Sequence, residues 1–181
     1  MSIHLITGCM FSGKTSALIN VAKLNTLLDK KVIVINYEGD NRYGSGSKMV
    51  THSGRSFECI SCAKDLLFML KDNNLIIKAD VICINEGQFF DNLVDFCNQM
   101  CTNGKEVHVC GLDGDYLRRP FGEILNLIPL CDTYIKLHAL CMICKNGTYA
   151  SFTKKISGSE EKIEIGSEEM YTPVCRNCYN L

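Results

Sequence analysis

No sign of charge dominates this chain of 181 residues: 19 Lys and Arg stand against 20 Asp and Glu, for a formal charge of -1. The electrostatic footprint of a general nucleic-acid binder is therefore missing, and small-molecule partners are expected instead. Also missing is any apolar run approaching the roughly 20 residues of a membrane span, so no membrane partner is expected. The opening stretch MSIHLITGCM has no basic region, and His4 and Thr7 break its apolar run, so it does not read as a secretory signal. Internal repeats and low-complexity tracts are absent too. Without an export signal a reducing, cytoplasmic setting is expected, and the 12 Cys then read as thiols or metal ligands rather than a disulfide framework.

What is present fits one ordinary domain with a small appendage. Ile3 to Ile6 is a short apolar run before a Gly-rich turn, and Thr15 to Leu28 carries Leu18, Val21, Ala22, Leu24 and Leu28 at helical spacing. The β-branched runs KVIVIN (31–36), ADVICI (79–84) and EVHVCGL (106–112) are strands, separated by segments that include the helical stretches CAKDLLFML and FFDNLVDFCNQM. Strands alternating with helices imply a parallel sheet covered on both faces. DTYIKLHAL supplies a fifth strand. The composition then shifts toward Gly-containing turns, hairpin-like pieces (TYASFTKKI, EKIEI) and paired cysteines, which separates an α/β domain, 1–138, from a small module, 139–181. The polar Gly/Ser-rich segment 39–56 fits an active-site loop or a disordered connection.

GCMFSGKT, Gly8 to Thr15, matches G-x-x-x-x-G-K-[ST] and lies between a strand and a helix, where a phosphate loop belongs. Backbone N–H groups from Gly8, Cys9, Met10, Phe11, Ser12 and Gly13 and the positive helix end would cradle ATP phosphates. Lys14 would reach the β and γ phosphates, and the Thr15 hydroxyl would face Mg²⁺. The strand that ends at Ile84 is expected beside the first strand, with its carboxyl end toward those phosphates. Asn85 then stands where a metal-associated Asp is usual, and Glu86 can accept a proton from a substrate hydroxyl or align a water. The plainer alternative is that Asn85 and Glu86 cap a helix beginning near Phe90.

CMIC (Cys141, Cys144) and CRNC (Cys175, Cys178) are two Cys-x-x-Cys pairs on a short, Gly-containing segment, spaced beyond the commonest ribbon range; they read as a four-thiolate structural zinc site, with free thiols or disulfides the alternative. A third pair, Cys59 and Cys62, opens a run in which Ile60, Ala63, Leu67 and Leu70 share a helical face, so it reads as buried thiols. The remaining cysteines read as core filler. His4, His108 and His138 read as satisfied sheet residues, and His52 is the one His considered for the site.

GCMFSGKT, GDNRYGSG with the following TH, INEGQFF, LDGDYLRRPFGEILNLIPL and the paired CMIC and CRNC knuckles together resemble the type II thymidine kinases, the family of the cellular cytosolic enzyme and the poxvirus enzymes. The resemblance runs from Ile3 to Tyr179, and the compact length looks most like the viral members. It implies a P-loop, RecA-like α/β domain with a C-terminal zinc ribbon carrying a lasso. It also implies transfer of the ATP γ-phosphate to the 5'-hydroxyl of thymidine, or of deoxyuridine, in deoxynucleotide salvage. Glu86 falls on the family's general base, while the motif's Asp falls on Asn85, a departure at the metal-associated position. Asp40 and Arg42 match a D-x-R loop that helps hold Mg²⁺ and phosphates. For the nucleoside the resemblance points to Met10, Phe89, Leu112 and Tyr116, the last usually Phe. It also points to a lasso of Lys162, Ile163, Glu164, Ile165 and Gly166, with Tyr171 behind it and Thr153 near the thymine methyl. Phe89, Met10 and Leu112 also suit an ordinary core, and Tyr171 also suits ribbon packing. A homotetramer, inhibition by dTTP and a location in the cytoplasm, the host's if viral, follow from the same resemblance.

The rival from another class is a P-loop ATPase module whose zinc ribbon binds nucleic acid. It calls for a basic ribbon with stacking aromatics, whereas Glu160, Glu161, Glu164, Glu168 and Glu169 crowd this segment. A weakened family member kept for regulation or assembly has Asn85 as its only support.

Overall fold

Four consecutive apolar residues with no polar alternation, VICI, suit a strand buried on both faces, and Val81–Ile84 is such a strand at the middle of the molecule. The computed structural model describes residues 1–39, 48–50, 54, 56–157 and 170–181. In chain order the described elements are β1 (Ser2–Gly8), α1 (Lys14–Leu27), β2 (Val32–Tyr37), β3 (Lys48–Val50), β4 (Ser56–Glu58), β5 (Ile60–Cys62), α2 (Leu66–Asp72), α3 (Asn74–Lys78) and β6 (Val81–Ile84). They continue with α4 (Leu93–Thr102), β7 (Glu106–Gly111), β8 (Thr133–Leu137), β9 (Ala139–Leu140), β10 (Tyr149–Ala150), β11 (Phe152–Lys155), β12 (Tyr171–Val174) and α5 (Arg176–Asn180).

Six strands form one sheet in the order β5-β2-β6-β7-β1-β8, and each neighbouring pair runs parallel. Alternate residues feed two cores. Ile3, Leu5, Ile82, Ile84, Val107 and Val109 pack with Leu66, Ile76, Leu93 and Phe96 of α2, α3 and α4. Ile6, Val34, Val81, Cys83 and Cys110 pack with Leu18, Ile19 and Ala22 of α1 on the other face. This is an α/β protein with a parallel central sheet and helices against both faces.

Three expectations are corrected. The strand ending at Ile84 is not beside β1, because β7 lies between them. The Cys59–Leu70 run is not one helix: Ile60–Cys62 extends the sheet by pairing with Ile35–Tyr37. The helix starts after Asp65, whose carboxylate accepts the Phe68 N–H at 2.9 Å as an N-cap. The helix expected near Phe90 begins at Leu93, behind a single 3-10 turn at Gly87–Phe89.

Beyond β8 the chain makes two small antiparallel pairs, β9 with β10 and β11 with β12. TYASFTKKI is thus two strands with different partners, not a hairpin. Their core of Ala139, Ala150, Val174 and the cysteines also takes in Cys9, so this segment packs directly on the β1–α1 turn.

Candidate active site

β1 delivers the chain to Gly8, where a Cβ would overlap the Leu137 carbonyl oxygen of β8. Gly13 has φ +85° at the N-cap of α1, a left-handed conformation that suits glycine. The first turn of α1 holds no acidic residue to offset its positive end. Lys14, only 8% exposed, folds back so that its Nζ donates to the Cys9 carbonyl at 2.8 Å. Ser12 Oγ is buried with no hydrogen-bond partner among the described residues. An orphan hydroxyl and a lysine bonded to its own turn fit a site built for an anion. The Met10 N–H donates to Thr153 Oγ1 at 3.0 Å and the Cys9 thiol to the Ala150 carbonyl at 3.3 Å, so β10–β11 fix this turn from outside.

Although β7 separates their strands, Asn85 at the end of β6 still reaches α1: Thr15 Oγ1 donates to Asn85 Oδ1 at 3.3 Å. Burial pushes the Cys110 thiol up to about 12, so it keeps its proton and donates to the same Oδ1 at 3.1 Å. Asn85 Nδ2 donates to Asn36 Oδ1 at 2.7 Å. An Asp at 85 would oppose that Asn36 oxygen with another oxygen. The neutral Asn therefore suits this buried pair, in which both side chains are at most 8% exposed.

Glu86 follows with φ +55° and ψ 44°, a left-handed conformation rare outside Gly, Asn and Asp. It is 7% exposed and makes no side-chain cap bond to the 3-10 turn after it, and Asn92 occupies the N-cap of α4. Asn85 and Glu86 thus point their side chains elsewhere than a helix end. The Glu86 carboxylate accepts from Gln88 Nε2 at 2.7 Å, and Gln88 Oε1 accepts the Leu112 N–H at 2.9 Å. After burial, the Glu86 charge raises the Cys110 thiol further and the Lys14 charge lowers it.

Phe89 is half-buried between Tyr37, stacked at 4.7 Å, and Phe121, edge-on at 5.2 Å. Tyr116 lies 6.4 Å from Tyr171, with the Lys155 ammonium 5.3 and 5.9 Å from the two ring centroids. The Tyr179 hydroxyl donates to the Tyr116 carbonyl at 2.7 Å, and Arg118 lies over the Tyr179 ring at 4.1 Å. The structure therefore gathers Met10 with Thr153, Phe89 with Leu112 through Gln88, and Tyr116 with Tyr171. Asp40, Arg42, His52 and Lys162 to Gly166 lie outside the described residues. Sequence reasoning passed over Gln88, Asn36, Tyr37, Phe121 and Tyr179. Gln88 and Phe121 sit inside quoted motifs, but no spacing says that their side chains turn inward.

Cys141, Cys144, Cys175 and Cys178 bring their Sγ atoms within 4.8 Å of one another. Burial raises the Cys141 thiol, but backbone N–H groups of Cys144, Cys175 and Ile143 overcome it and hold it at about 6. Four converging sulfurs are the donor set of a tetrahedral zinc site. His4, Glu106 and His108 also converge, at the opposite end of the sheet. There Lys30 already holds Glu106 at 2.9 Å, Ser2 and Thr133 engage both His4 ring nitrogens, and the two imidazoles stack at 4.4 Å. His4, His108 and His138 all have hydrogen-bond partners, as expected.

Comparison with known proteins gives a consistent result. The family model described as thymidine kinase matches residues 1–179. The thymidine kinase of Yaba monkey tumor virus (strain VR587) is 47% identical over 177 residues, covering 98% of this chain and 93% of that protein. Those of vaccinia virus (strain Western Reserve) and variola virus are each 44% identical over 180 residues, covering 98% of this chain and 96% of theirs. Among solved structures, Bacteroides Pif1 bound to ssDNA aligns with a TM-score of 0.34 at 18% identity, over 61% of this chain and 28% of that one, which is too distant to bear on fold or function.

Proposed function

This chain belongs to the thymidine kinase family and is a phosphotransferase acting on thymidine, and we propose that Glu86 is its general base, taking the proton from the nucleoside 5'-hydroxyl as the ATP γ-phosphate is transferred. The observation that carries this is the buried Glu86 carboxylate, held by Gln88 one residue after the Asn85 that touches Thr15.

The β1–α1 turn acts as a RecA-like P-loop. Gly8 to Gly13 present main-chain N–H groups, Ser12 Oγ supplies one more donor, and Lys14 leaves the Cys9 carbonyl to engage the β and γ phosphates. Mg²⁺, when bound, neutralises charge on the β and γ phosphates. Thr15 Oγ1 and Asn85 Oδ1 would face it, with Asp40 and Arg42 expected to contribute from their loop. Because Asn85 brings no charge, that ion would lean on the phosphates and Asp40 more than in a site with Asp at this position.

Thymidine, and deoxyuridine as a second substrate, would lie along Phe89, Leu112 and Tyr116 with Met10 and Thr153 beside the base. The Lys162 to Gly166 lasso, with Tyr171 behind it, would close over the base and exclude water. Zinc held by Cys141, Cys144, Cys175 and Cys178 would fix the ends of that lasso. On the same reading the P-loop domain spans 1–138 and the lasso module 139–181. The enzyme would act as a homotetramer in the cytoplasm, the host's if viral, and dTTP would inhibit from the substrate site. These features rest on the family resemblance.

A phosphate-transfer assay with ATP, Mg²⁺ and a nucleoside panel tests the reading. Thymidine is expected to give dTMP with ADP in equal amounts. Thymidine left unphosphorylated, with ATP hydrolysed only when DNA is added, would overturn it.

A further inference from the structure

Gln88 is 3% exposed and makes two opposed hydrogen bonds: Nε2 donates to Glu86 Oε2 at 2.7 Å, and Oε1 accepts the Leu112 N–H at 2.9 Å. An amide is an uncharged side-chain group that can donate at one end to a carboxylate and accept at the other from a main-chain N–H. Both partners fix its orientation, because the reversed amide would set oxygen against carboxylate and NH₂ against N–H.

The surrounding chain is shaped to hold it. A Cβ on Gly111 would overlap Gln88 Oε1, and a Cβ on Gly122 would overlap the Gln88 carbonyl oxygen. Gly122 also has φ +60°, which favours glycine independently. Glu86 meanwhile keeps a left-handed backbone, a conformation that costs energy in a residue with a side chain. A strained acid held by a residue whose side chain Gly111 accommodates and whose main chain Gly122 accommodates is over-determined for a particular carboxylate position.

We propose that Gln88 is a positioning residue for the phosphoryl-transfer step: it aims the Glu86 carboxylate and ties it to the Leu112 main chain at the nucleoside subsite. The proposal rests on Glu86 being the base. The Leu112 bond means that ordering Leu112 against a nucleoside also orders the amide that holds the base.

Gln88→Glu keeps the volume and the acceptor for Leu112 but replaces the donor to Glu86 with a second carboxylate. Its kcat is expected to fall by about tenfold or more while the KM for thymidine stays within about threefold, because the bond that aims Glu86 is lost and the bond to Leu112 is kept. Gln88→Met should lower kcat by about tenfold or more, the scale of losing an outer partner that orients a reacting group. The double variant Glu86→Gln with Gln88→Glu restores a donor–acceptor pair in reverse. Its melting temperature should recover toward that of the parent while its kcat stays at the level of Glu86→Gln alone.

The outcomes separate the two readings. Near-normal turnover in Glu86→Gln removes the base and with it this proposal. Loss of turnover in Glu86→Gln, combined with a near-parental kcat in Gln88→Glu or fully additive losses of melting temperature in the double variant, leaves the base standing and overturns the role of Gln88.

Discussion

Replacing Asn85 with Asp tests why this position is neutral. Asn85 is 1% exposed, its Oδ1 accepts from Thr15 and Cys110, and its Nδ2 donates to Asn36 Oδ1 at 2.7 Å. Asp keeps the first two bonds and loses the third. Asn36 can rotate its amide to offer Nδ2 instead, since that group now makes only a 3.4 Å contact with the Tyr37 carbonyl. Burial of an ionised carboxylate costs several kcal/mol, and each hydrogen bond to a charge returns about 1.5–3 kcal/mol. With the Cys110 thiol a weak donor, a net loss of about 1–3 kcal/mol is expected for the nucleotide-free protein, or a melting temperature lower by about 2–10 °C for a chain of this size.

The sign with pH follows from the same burial, which raises the folded-state pKa of the new carboxyl above its unfolded value. The deficit is therefore full above the folded pKa and disappears as pH falls below about 4, where both states are protonated. Mg²⁺ with ATP should recover much of the lost stability, and the Mg²⁺ concentration for half-maximal rate should fall. Thermal melts from pH 4 to 8 with and without Mg²⁺ and ATP read both effects. A melting temperature unchanged within about 1 °C in all conditions, with unchanged Mg²⁺ dependence, would refute the placement of residue 85 beside the ion.

Three other perturbations act away from Glu86. Zinc analysis should find about one ion per chain, and its chelation should lower the melting temperature and weaken thymidine binding. Tyr179→Phe, which removes the 2.7 Å bond to the Tyr116 carbonyl, should weaken thymidine binding by about five- to tenfold with zinc retained, and equal affinity would remove Tyr179 as the link. Burial would raise the Glu106 carboxyl, but Lys30 and His108 hold it down to about 2, so its stabilisation is complete above its ordinary 4.5 and is lost as pH falls from there toward 2. Glu106→Gln should flatten that part of the acid melting profile, and an unchanged profile would refute the role of the pair.

The sheet and its helices were legible because the strands are continuous apolar runs and α1 follows a recognisable turn. Strand order was not. The local pattern of VICI and EVHVCG is the same whether β7 lies inside or outside β6, and the inserted β7 emerges only from the register Ile84↔Val109 and Ile6↔Cys110. The false helix at Cys59 shows a related limit: Ile60, Ala63, Leu67 and Leu70 fit a helical face, but pairing with β2 outweighed that pattern for Ile60–Cys62. In the site, motif residues such as Lys14, Asn85 and Glu86 announced themselves by type and spacing. Gln88 and Asn36 did not, because their importance lies in which partner each amide end meets. The reason for Asn rather than Asp at 85 also became visible only with Asn36 beside it.

The most direct test of the account is single-turnover phosphoryl transfer by Glu86→Gln alongside thymidine binding to the same variant. The account predicts that thymidine still binds with near-parental affinity while transfer slows by at least about a hundredfold, the scale of a lost general base. Transfer at the parental rate would contradict it.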